Sequence, residues 1–269
     1  MIPTMSIPLF KTTIKNNWLL LLIFFGVLTM YMTIMISMYN PDDMQAITSM
    51  LELFPEEMMN AMGFSGAVTD LTGYLASWLY GLLMFGFPMV YCIILGNKLV
   101  AKKVDNGSMA YLLSTPASRT KIIVTQGVYA LLSVVLLFAA LFGVGVVTSI
   151  AMFPDLLDIG AFFKLNVLTM LINMAIIMIT FFFSCLFNDT KYSLGFGAGF
   201  PILFLLMNML GGASDKLEIL KKLSIYGLQD PVELVHDKDA LGLDLFFAGI
   251  IALLFLASVL VFRRKRLPL

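Results

Sequence analysis

Side chains able to do covalent or metal chemistry are scarce in this 269-residue chain, and those present stand alone. The single histidine, His236, lies beside Asp237 and Asp239 with no cysteine or second histidine, a set too poor for zinc and better read as solvated. Cys92 and Cys185 fall inside apolar runs, where they read as small core residues rather than as a disulfide or a metal pair. Ser77, Ser184 and Cys185 have no titratable neighbour within those runs, so covalent catalysis would lack a base. Methionines crowd one segment (Met44, Met50, Met58, Met59 and Met62), and thioether sulfur suits Cu(I). Without a cysteine or histidine to complete a site, they read with Leu51 and Leu53 as amphipathic segments resting on a membrane or a partner. No Gly-x-x-x-x-Gly-Lys-Ser/Thr phosphate loop occurs. We expect no catalytic residue, no metal site, no cofactor bound by this chain and no nucleic-acid partner.

What the chain does concentrate is positive charge. Residues 96–126 form a polar island between two apolar runs and hold five of the seventeen basic residues, Lys98, Lys102, Lys103, Arg119 and Lys121. A loop of this kind belongs on the cytosolic side of a membrane. Within it, Asp105-Asn106-Gly107-Ser108 reads as a helix start, with Asn106 or Ser108 able to accept from a free backbone N–H. Met109, Leu112 and Leu113 share one short apolar face. Pro116 ends that helix after about two turns, and Ser118 is placed to cap the next one.

The run from Asp105 to Arg119 resembles the coupling-helix loop of type-2 ABC transporter permeases, which commonly reads acidic, one residue, Gly-Thr-Leu-Glu-x-Leu-Leu-x-x-Pro-x-Ser-Arg. Gly107, Leu112, Leu113, Pro116, Ser118 and Arg119 match in order and spacing, and Ser108 and Met109 stand in for Thr and Leu. Ala110 takes the place of the frequent Glu, and Gln126 stands where a Lys is often found. The resemblance implies the membrane subunit of an exporter, with two copies of a cytosolic ABC ATPase holding ATP and Mg and a second permease subunit, identical or homologous. It also implies that Asp105, Gly107, Ser108, Met109, Leu112, Leu113, Pro116, Ser118 and Arg119 form the ATPase-coupling loop. The Met109, Leu112 and Leu113 face would then enter a groove on the ATPase. A non-transporting sensor or immunity protein on the same scaffold is the alternative.

The elements that must position this loop follow from composition. With 60% hydrophobic and 13% charged residues and a mean hydropathy of +0.94, the chain is an integral membrane protein. We expect six helical spans within residues 16–41, 71–97, 122–154, 165–188, 192–214 and 245–262, with no Asp, Glu, Arg or His inside them. Residues 1–15 suit a separate interfacial helix, with Trp18 at headgroup level and no signal-peptide pattern. The cytosolic coupling helix then falls between spans two and three. Gly195 and Gly199 form a small-xxx-small pattern for helix packing, within the subunit or across a dimer seam. Residues 211–244 suit an amphipathic or re-entrant helix broken near Gly227 and Pro231. Under this layout twelve basic residues lie inside and five outside, and fifteen of seventeen acids lie outside. The reading is one all-α transmembrane permease domain over residues 1–269 in the cell (plasma) membrane, multi-pass, with both termini cytosolic.

Overall fold

Inside a bilayer every backbone polar group must find its partner within the chain, so long uncharged runs fold as helices. The computed structural model describes residues 5–41, 58, 70–213, 215–228, 230–236 and 240–265, and the regular elements among them are all helical. In chain order they are α1 (Ile7–Met38), α2 (Leu71–Tyr74, running on as a π turn over Leu75–Leu79), α3 (Leu83–Leu99), α4 (Ala101–Asp105) and α5 (Ser108–Leu113). There follow α6 (Arg119–Met152), α7 (Ile159–Leu186), α8 (Thr190–Gly212), α9 (Glu218–Leu223), α10 (Pro231–His236) and α11 (Leu241–Arg264). Six are long and apolar enough to cross a membrane: α1, α3 taken with α4, α6, α7, α8 and α11.

Two expectations are corrected. The separate interfacial helix over residues 1–15 is absent from the described part, because α1 runs unbroken through Ile7–Met38. Pro8 lies in its first turn, where the missing N–H costs nothing. Farther along, Asn17 Nδ2 donates to the Thr13 carbonyl at 2.8 Å within the same helix. From Trp18 to Met38 the helix rises about 30 Å, the thickness of the hydrocarbon core, so its first turns project beyond that core.

The second correction concerns span two, expected as one helix over residues 71–97. It is interrupted by a turn at Tyr80–Leu82, between the π turn and α3. Groups on α7 and its approach bond to the broken segment. Asp158 donates its N–H to Thr72 Oγ1 at 3.0 Å, and Asn166 Nδ2 donates to Tyr80 Oη at 3.0 Å. Pro88 within α3 leaves the Met84 carbonyl without its helical donor, and Asn173 Nδ2 reaches it at 3.4 Å.

The core sits around α3 and α7, which bury most of their apolar stretches, whereas α1 and α8 bury little of theirs. Helix α7 packs on α3, α6, α8 and α11. The break expected near Gly227 and Pro231 is present: α9, which has no buried residue, ends before a turn at Ser224–Leu228, and α10 begins at Pro231. At that turn the chain dips into the bundle, with Tyr226 fully buried and its ring 5.1 Å from that of Phe85. The methionine segment and the acids Asp237 and Asp239 lie outside the described residues, apart from Met58, which is exposed.

Candidate functional site

The polar island folds as two short helices hung between the long α3 and α6. Gly107 adopts φ 74°, in the left-handed region that a Cβ disfavours, and so turns the chain from α4 into α5. Asn106 Oδ1 supports the turn by accepting from the Ser108 N–H at 3.1 Å and from Ser108 Oγ at 2.6 Å. Asn106 is therefore the acceptor, and the Ser108 hydroxyl is a donor. At the far end of α5, Ser114 Oγ and Thr115 Oγ1 donate to the carbonyls of Tyr111 and Leu112, and Pro116 follows. Ser118 caps α6 as the sequence suggested, with Oγ accepting from the Lys121 N–H at 3.2 Å. Asp105 is exposed at the end of α4.

The apolar face of α5 points the other way from expectation. Met109 is only 1% exposed, and Leu112 and Leu113 are half-buried against the protein's own core. The bundle presents apolar surface directly behind α5, and the helix rests on it with the side that matches. What faces outward is Ala110, Ser114 and above all Tyr111, 79% exposed.

Neighbouring helices tie down the start of α6, where the loop ends. The Ser6 N–H donates to Thr125 Oγ1 at 2.9 Å, and Gln126 Nε2 donates to Thr13 Oγ1 at 3.2 Å, joining the start of α1 to the start of α6. Gln126 is fully buried, an environment that suits its uncharged side chain. Between these helix starts and the loop lies a groove of about 620 Å³ lined by Ile7, Leu9, Leu112, Pro116 and Lys121 among others. Behind α6, Arg119 Nη1 donates to the Lys265 carbonyl at 2.8 Å, and Lys265 Nζ donates to the Phe187 carbonyl at 2.6 Å. Burial pulls the Lys265 ammonium down to about 8, an effect the neighbouring Cys185 slightly opposes.

Gly195 and Gly199 lie apart from the loop, on an exposed face of α8 with Tyr192, Phe196, Phe200 and Leu203. A Cβ at either glycine would meet nothing within 4 Å, so neither serves packing inside the described subunit. Sequence reasoning missed Thr13, Ser184 and Lys265 as partners of the loop region. Their bonds run to residues 80 to 150 positions away, and no local pattern announces them.

A family model described as ABC-2 family transporter protein matches residues 10–265, nearly the whole chain. No curated protein matches it.

Proposed function

The chain belongs to the ABC-2 transporter family, and from that premise we propose that it is an exporter subunit whose α5 docks on a separate cytosolic ATPase through Tyr111. Membership makes the chain a multi-pass membrane subunit of an ABC transporter. The finer reading is ours: two ATPase copies bind ATP and Mg, two permease subunits pair, and ATPase closure is passed through the loop to move an apolar or amphipathic cargo. The cargo class follows from the expected spans, which hold no Asp, Glu, Arg or His to greet a charged substrate or a coupling ion. The exposed faces of α8 around Gly195 and Gly199 suit close approach of a second permease.

The observation that carries the docking reading is the fixed outward aromatic of α5. With Met109 buried behind it, Tyr111 is held out at 79% exposure on a helix anchored at both ends. Aromatic side chains in such positions dominate many interfaces, at about 2 kcal/mol or more for truncation to Ala, roughly 30-fold in affinity. Tyr111→Ala should therefore lower recovery of the ATPase with the purified chain, and Tyr111→Asp should abolish it, while insertion in the membrane is unchanged. Undiminished recovery with both variants would overturn the docking face. Leu112→Asp is a poorer probe because Leu112 also packs inward.

A further inference from the structure

We infer that the loop-side end of α7 is where movement of α5 enters the bundle, because the loop is tied to α7 at both of its ends, directly at Ser184 and by way of Lys265 at Phe187. The inference rests on the docking role proposed for α5 and adds the element that receives the movement.

At the leading end, α3 and α4 would be one helix but for Val100, at φ −130° and ψ −67°. In an unbroken helix the Ala101 N–H would bond to the Asn97 carbonyl. Here it donates instead to Ser184 Oγ of α7 at 2.7 Å, and the Ser184 hydroxyl in turn donates to the Asn97 carbonyl at a long 3.4 Å. One hydroxyl thus occupies the gap in the ladder, and side-chain insertion of this kind is a known cause of sharp helix breaks. Ser184 is fully buried, so no water competes for these bonds. One residue before Asn97, a Cβ on Gly96 would lie 2.8 Å from Thr180 Cγ2, which places α3 and α7 in close contact at the joint.

At the trailing end, the chain of bonds runs from Arg119 to the Lys265 carbonyl and from Lys265 Nζ to the Phe187 carbonyl. Phe187 is the C-cap of α7, three residues beyond Ser184. A displacement of α5 therefore pulls on α7 through Ser184 from one side and through Phe187 from the other. Helix α7 passes it on to α3, α6, α8 and α11, against which it packs. One such contact is the bond from Thr180 Oγ1 to the Gly197 carbonyl of α8 at 3.0 Å. Ser184 and Lys265 are positioning residues: neither is on the outward face of α5, and both determine how that face is tied to the bundle.

The test uses the chain with the ATPase that co-purifies with it, in lipid nanodiscs, with Cys92 and Cys185 replaced by Ala. Phe163→Cys, exposed near the other end of α7 and about 31 Å from Ser184 along the helix, carries an environment-sensitive fluorophore. Mg-ATP with vanadate should shift its emission in the parent. Ser184→Ala combined with Lys265→Met should lose that shift while ATPase recovery and basal hydrolysis stay at parent levels. Ser184→Thr, which keeps the hydroxyl, should retain it and so separates loss of the bridge from loss of the fold. If the parent shifts and the double variant shifts equally, the inference is overturned and the docking reading stands. A parent that recovers its ATPase but shows no shift overturns it as well. A parent that recovers no ATPase removes the docking reading and this inference together.

Discussion

At the scale of single residues, what a local bond decides was legible and what a long-range contact decides was not. The Ser118 cap and the helix start after Gly107 follow from side chains within three residues, and both appear where the sequence implies. The apolar face of α5 was legible as a face, but its direction was not, because Met109 could equally have met a partner or its own bundle. Lys265 stands in a basic C-terminal run, and nothing in its neighbourhood reveals the Phe187 carbonyl. That environment has a measurable consequence. The folded protein holds the Lys265 pKa near 8, below its ordinary 10.5, so charging this residue opposes folding. The penalty is complete below about pH 8 and is relieved as pH rises from there toward 10.5. Amine-reactive labelling of Lys265, followed by mass spectrometry across pH, should show half-maximal reactivity near pH 8, whereas an exposed lysine should titrate near about 10.4. A midpoint shared with the exposed lysines would mean that the amine is not withdrawn from water.

At the scale of elements, the number and rough placement of the spans could be read from uncharged runs, because each must satisfy its own backbone. Their breaks could not. The interruption of span two goes with Thr72 and Tyr80 finding partners on or near α7, and the sequence of span two alone reads as one apolar stretch. A signal was nonetheless present in α7 itself. Asn166, Thr169, Asn173, Thr180 and Ser184 recur at helical spacing on one side, and all are buried. In a membrane helix small polar residues mark the protein-facing side, the reverse of the rule for soluble helices. Helix α1 was misread for a different reason: basic residues among apolar ones suggest a surface-lying helix, yet no residue there breaks the axis. Spin labels at Ile7 and Leu22 distinguish the two arrangements. A continuous helix separates their Cα atoms by about 22 Å, while a right-angle entry near residue 15 would bring them to about 16 Å. A measured distance near the shorter value would restore the interfacial helix.

At the scale of the whole molecule, the arrangement of the spans was hidden because lipid and protein interior are equally apolar. Helices α3 and α7 are central and α1 and α8 peripheral, yet all four are strongly apolar by composition. Which side of the membrane each end faces is a separate question, answered by charge outside the spans. Residues 42–73 contain no Lys or Arg, whereas five basic residues fall between 98 and 121. Positive loops are retained on the cytosolic side, so α5 and the starts of α1 and α6 should face the cytosol, and the turn between α6 and α7 should face outward. Ser114 and Leu156 are exposed at these opposite ends and make convenient reporters. In a background lacking Cys92 and Cys185, Leu156→Cys should react with an impermeant thiol reagent in intact cells, and Ser114→Cys should react only after the membrane is opened. Because an ATPase fuelled by cytosolic ATP can reach α5 only from that side, the opposite labelling pattern would remove the docking site along with the topology.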